Sequence, residues 1–141
     1  MDKIHKDFHG ALSAGFQYLA EKYGKKDLEE YLKACGENVY SWLIDEIKKE
    51  GLSSLERYWQ RIFTLEEGEF EIKRKGSREI KLIVKRCPAL SYMEKAGYPV
   101  YKDFRLQCRI INRVLAEKTG LTSEVRSEQG KKRCVQTFKR K

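Results

Sequence analysis

The sequence has only two prolines and two histidines, no Cys-x-x-Cys pair and no long apolar run. Apolar stretches such as Ile83-Val84 and Ile110-Ile111 are far shorter than the roughly 20 residues a helix needs to cross a bilayer, so no membrane partner is expected. The opening Met1-Asp2-Lys3-Ile4-His5 carries charge instead of an apolar h-region, which argues against a secretory leader and for a cytoplasmic protein. Cys35, Cys87, Cys108 and Cys134 are widely spaced, a poor disulfide framework, and read as thiols. A Gly-rich phosphate loop, a Ser-His-Asp set and paired catalytic carboxylates are missing too. Glu66-Glu67 and Glu29-Glu30 read as solvated charge at helix ends.

What is present is apolar material, 40% of residues, beneath an ionic surface, with 36% charged. That is enough for one core in a single α+β domain spanning 1–141. Residues 1–70 hold 10 Lys/Arg against 14 Asp/Glu, and residues 71–141 hold 20 against 7. The chain therefore divides near Gly68 into a mildly acidic half and a strongly basic one.

Apolar residues at three-to-four spacing predict helices over Asp7 to Tyr23 and Lys26 to Glu50, the second kinked at Gly36. Its inward face is expected to carry Tyr31, Val39, Trp42, Leu43 and Ile47. A third helix follows Ser53, which with Glu56 fits a capping box, and runs toward Gly68. From Glu69 the period changes to two. Pairing Ile72 with Ile80 and Phe70 with Leu82 makes a hairpin around Lys75-Gly76-Ser77. Helices then run from Pro88 to Gly97 and from Lys102 to Lys118, and a second hairpin turns at Gln129-Gly130-Lys131 before Cys134, Gln136 and Phe138. The expected architecture is an N-terminal three-helix segment (1–68) packed with a four-stranded antiparallel sheet, made of two hairpins separated by two helices (69–141).

Cys87-Pro88 ends a strand and begins a helix. This puts Cys87 at the N-cap beside Arg86, where a thiol can have a lowered pKa and serve as nucleophile or ligand; the alternative is a small buried thiol at a tight junction. Cys108 and Asn112 share a face of the last long helix, and Asn112 either bonds the end of a strand or lines a pocket. His5 and His9 stand one turn apart and, with Cys87 and Cys108, would make a Cys₂His₂ set for a zinc-like metal ion; the alternative is His9 alone packed or lining a cleft. Tyr92, Tyr98 and Tyr101 either roof a small-molecule cleft or pack a helix connection. Lys73, Lys81 and Lys85 oppose the apolar strand positions and make a cationic outer sheet face. It reads as a solvated face that deters strand pairing or, as nucleic-acid binding, lacks the aromatics a single-strand reader needs.

Cys87-Pro88 after a strand, Tyr101 and Cys108 around the next helix, the closing Gly130 to Cys134-Val135-Gln136-Thr137-Phe138 and the opening Asp7-Phe8-His9-Gly10-Ala11-Leu12 resemble the L-2-amino-thiazoline-4-carboxylic acid hydrolase family. The resemblance implies a small α+β domain related in outline to 4-vinyl-reductase-like ligand-binding domains, and hydrolysis of a cyclic amidine-like C–N bond, the ring opening to a carbamoyl cysteine. Cys87 and Cys108 would then be a nucleophile or ligand pair, His9 the general base, Asn112 or Tyr101 a positioning group, and Arg86, Arg105 or Arg109 the holder of a substrate carboxylate. The alternatives are a non-catalytic small-ligand or metal sensor and a nucleic-acid-binding protein, with homo-oligomers left open.

Overall fold

The structure, a computed structural model, describes residues 5–141; the charged opening Met1 to Ile4 lies outside the described residues. Four helices come first: α1 (Phe8–Tyr23), α2 (Lys25–Asn38), α3 (Ser41–Glu50) and α4 (Leu52–Leu65). The hairpin β1 (Glu69–Lys75) and β2 (Glu79–Arg86), helices α5 (Pro88–Ala96) and α6 (Leu106–Thr119), and the hairpin β3 (Leu121–Ser127) and β4 (Cys134–Arg140) follow. All strand pairs are antiparallel in the order β1-β2-β4-β3, so this is the α+β fold expected, helices against a four-stranded sheet of two hairpins.

The long second helix divides in two. Its last regular bond is Val39 N–H to Cys35 O (2.9 Å), after which Tyr40 leaves helical geometry (φ −104°, ψ 18°). Short polar side chains compete for the backbone there: Asn38 Nδ2 donates to Ala34 O (2.8 Å) and Ser41 Oγ to Asn38 O (3.2 Å). Gly36, the expected kink, is instead a contact point, because a Cβ on it would stand 3.0 Å from Val114 Cβ on α6. The break re-aims the following turn, so Trp42 is exposed while Leu43, Ile44 and Ile47 are buried; Tyr31 and Val39, also expected inward, are exposed as well. The capping box also fails. Helix α4 starts two residues early, directly after Gly51 at φ 70°, and it is Ser54 Oγ that bonds back, to Gly51 O (2.8 Å).

Strand register differs from expectation by two residues. Ile72 pairs with Leu82 and Phe70 with Val84, and the loop is Gly76-Ser77-Arg78, with Gly76 at φ 55° and Arg78 N–H on Lys75 O (3.0 Å). A slip of two preserves sidedness, so the same apolar set still faces the helices. Pairing of β2 with β4 extends that face: Ile80 opposes Phe138, Leu82 opposes Gln136 and Val84 opposes Cys134. Helices α3, α4 and α6 cover it with Leu43, Ile47, Leu55, Trp59 and Leu115. A second apolar group, Phe16, Leu28, Leu32, Met93, Tyr101, Phe104 and Ile110, fills the space among α1, α2, α5 and α6. Each fully buried aliphatic contributes about 1.5–3 kcal/mol. Cys87 packs against both groups. The outer sheet face is cationic in balance but threaded with carboxylates: Lys73, Lys75, Lys81, Lys85, Arg126 and Lys139 share it with Glu71, Glu79 and Glu124, and Lys75 and Lys139 both reach Glu79 (3.5 and 3.9 Å).

Two glycine substitutions separate backbone propensity from packing. Gly15→Ala in α1 adds a methyl into open space and is expected to stabilise by about 0.5–1 kcal/mol. Gly36→Val presses on Val114 and is expected to destabilise by about 1–3 kcal/mol. Urea unfolding midpoints check both, and a stabilising Gly36→Val would disprove close packing of α2 on α6.

Candidate functional site

The junction that ends β2 and starts α5 is built as the dipeptide Cys87-Pro88 predicts. Cys87 takes extended N-cap geometry (φ −65°, ψ 121°) with Pro88 in the first turn, and its N–H bonds Lys132 O across to the β3–β4 loop (2.6 Å). Cys134 opens β4 opposite Val84, and Cys108 lies in the first turn of α6. The three thiols approach closely enough for charge on one to disfavour charge on another. Cys35 stands apart on α2, beside Tyr31.

Ionisation of this group is decided by burial. The backbone amides of Leu90 and Ala89 and the Arg105 guanidinium do favour a Cys87 thiolate, as helix-start geometry promises, but desolvation outweighs them and Glu66 adds to it, so the thiol is pushed up. Burial pushes Cys108 up to about 12, with Cys87 and Cys134 as further causes against Arg105 and Arg109. Burial likewise raises Cys134, against a hydrogen bond from Gln136. Of the two readings of Cys87, the buried thiol at a tight junction therefore holds over the one with a lowered pKa, and all three are neutral thiols at pH 7.

Polar groups on several elements are held by specific partners; among these groups, Glu66 acts on Cys87 and Gln136 touches Cys134. His9, buried on α1, meets Glu66 Oε1 through Nε2 at 2.5 Å, and its Nδ1 is buried without a partner. Glu66, far from being solvated helix-end charge, is buried at the end of α4, and Lys6 Nζ donates to its carbonyl (2.8 Å). Asn112 resolves to the strand alternative, donating from Nδ2 to Gln136 Oε1 (2.8 Å), while Gln136 Nε2 reaches Cys134 Sγ at 3.8 Å. Tyr101 is buried and held by its backbone, its N–H donating to Ser13 Oγ (2.7 Å), which donates to Pro99 O (3.1 Å). Tyr92 and Tyr98 both donate to Asp7 Oδ1 (2.5 and 2.7 Å), pinning the start of α1 to α5.

Other candidates do not join the group. Arg86 is exposed and paired with Glu69 (3.2 Å), and its place beside the thiols is taken by Arg105. His5 is exposed, and among the described residues no three His, Cys, Asp or Glu side chains converge as metal ligands. Glu66, Gln136 and Ser13 escaped sequence reasoning. Glu66 sits beside Glu67 on a helix end, and nothing local tells which of the two turns inward.

A cleft of about 430 Å³ opens between α5, the segment 100–105 and the β3–β4 loop, lined among others by Leu90, Glu94, Tyr101, Arg105 and Lys131. None of the cysteines lines it; Arg105 both lines it and acts electrostatically on all three thiols. Asp103 binds Arg109 through both oxygens (2.9 Å each) and Glu94 binds Lys132 (2.9 Å). Arg105 meets no carboxylate among the described residues; it donates to the carbonyls of Glu128 (3.2 Å) and Lys131. No family model matches the chain, and no curated protein matches it.

Two outcomes are expected. Iodoacetamide labelling of Cys108 at neutral pH is slower in the native protein than in urea by on the order of a thousandfold, the ratio of thiolate fractions. Because the folded state holds this proton more tightly than the unfolded chain, stability is full below pH 9 and falls as pH rises toward 12, a trend that Cys108→Ala weakens in urea midpoints. Separately, His9→Ala strands the Glu66 carboxylate and lowers unfolding free energy by about 1–3 kcal/mol; an unchanged midpoint would show that the pair carries no stability.

Proposed function

We propose that the protein binds a small carboxylate-bearing molecule in the cleft beside Arg105, as a non-catalytic small-ligand-binding domain, the alternative to the hydrolase that the family resemblance implies. The observation that carries this reading is the state of Arg105: a guanidinium at a cleft, oriented by two backbone carbonyls and meeting no carboxylate among the described residues. Such a group meets a carboxylate with charge-assisted hydrogen bonds worth about 1.5–3 kcal/mol. A cleft of about 430 Å³ falls within the range of small-molecule sites. None of the thiols lines this cleft and all three are neutral, so no cysteine nucleophile faces a ligand held there, which favours binding over covalent chemistry.

The hydrolase is the second reading, favoured by the His9–Glu66 pair. A carboxylate that orients a buried imidazole is how a general base is held. In that version water adds to the ring carbon between sulfur and nitrogen of a thiazoline, and the C–N bond opens.

L-2-amino-thiazoline-4-carboxylate serves as the probe for both. Calorimetric titration is expected to show binding that Arg105→Gln weakens by about tenfold or more, with no carbamoyl cysteine formed on incubation. Chromatographic detection of carbamoyl cysteine, lost in His9→Asn, would establish the hydrolase instead. No binding at millimolar probe, or binding indifferent to Arg105→Gln, would sink the cleft assignment.

A further inference from the structure

The other end of β4 carries a second concave surface, unrelated to the thiols. The last turn of α3, the first turn of α4, the β1–β2 hairpin, the end of α6 and the end of β4 meet around a cleft of about 780 Å³. Six cations line it: Lys48 and Lys49 on α3, Arg74 on β1, Lys118 on α6, Arg140 on β4 and Lys141 just after that strand. One carboxylate, Glu50, lines it too, and Arg57 engages that group. Arg74 is paired with Glu56 (2.7 Å) and Lys118 with Glu37 (3.8 Å), whereas Lys48, Lys49 and Arg140 meet no carboxylate among the described residues.

Helix ends explain part of this arrangement. Lys48, Lys49 and Lys118 sit in last turns, where cations complement the exposed carbonyls. That accounts for each lysine on its own helix; it does not account for Arg140 from a strand and Arg74 from a hairpin converging on the same hollow. Like charges gathered around one concavity raise its potential and concentrate anions there. The chemistry of the wall narrows the anion. No aromatic side chain lines the cleft, so base stacking is not on offer, and exposed Ser53 and Ser77 hydroxyls add hydrogen bonds to oxygen. The volume is large for one oxyanion.

We propose that this cleft is an anion site for a compact ligand carrying two or more phosphate groups, recognised through its phosphates alone. It is independent of the Arg105 cleft and shares no lining residue with it.

The test uses the full chain with inorganic triphosphate as probe. Calorimetric titration at about 50 mM and about 200 mM salt is expected to show binding that weakens steeply with salt. The triple variant Lys48→Gln/Lys49→Gln/Arg140→Gln removes exposed side chains only, so its melting temperature should be unchanged while triphosphate binding falls at least about tenfold. A control triple of other exposed cations, Lys26→Gln/Lys33→Gln/Lys95→Gln, should bind as the parent does, and adenosine triphosphate should bind no tighter than the inorganic probe. Several results would overturn the proposal: no binding at the lower salt, equal weakening by the control triple, sulfate binding as tightly as triphosphate, or a short DNA duplex binding through these residues while triphosphate fails to compete.

Discussion

Pairing of β2 with β4 is the contact on which the rest of the molecule depends. Two hairpins separated by residues 87–120 are each marginal alone in water, and their union makes one sheet with a continuous apolar face. That union sets Phe138 against Ile80 and Gln136 against Leu82, giving α3, α4 and α6 a common surface to cover. It also carries Cys134 to Val84, near the strand end from which Cys87 emerges, and so assembles a thiol group that no local stretch of chain contains. The backbone bond from Cys87 N–H to Lys132 O fastens the same corner and draws the β3–β4 loop over the start of α5.

Cys87 shows how two sound physical rules compete. A thiol at a helix start beside a cation is normally the reactive one, and the amides of Leu90 and Ala89 are there to make it so. It also packs against both apolar groups, where a charge costs more than two amides and one guanidinium return. The outcome is a trio of protonated sulfurs with Arg105 acting on all of them. The chemistry of the region therefore belongs to the arginine facing the cleft and to the His9–Glu66 pair more than to the cysteines.

The fold was largely legible because its signals are local. Period-two alternation at Phe70, Ile72, Ile80, Leu82 and Val84 marks a half-buried hairpin in any context, and Pro88, Gly97 and Gly120 punctuate the helices of the second half. Errors arose where a local signal had a non-local competitor. Gly36 looks like a flaw in a helix until α6 arrives and needs the space that a side chain would fill. The helix breaks instead at Asn38 to Ser41, where side-chain bonds to the backbone leave a weak mark in composition. Among candidate site residues, Cys87, Cys108, Arg105 and His9 fall in one region, while Arg86 and His5 face solvent.

The sequence by itself determined the element types, the apolar face of each strand and the four reduced thiols, since these follow from spacing along the chain and from cysteine placement. Only the tertiary structure decided the hairpin register, the inward turn of Glu66 onto His9, the choice of Arg105 over Arg86 and the neutral state of the thiols. The physical reason is that desolvation and charge pairing depend on which distant segments close over a group, and two adjacent glutamates or two nearby arginines carry no local mark of which one will be covered.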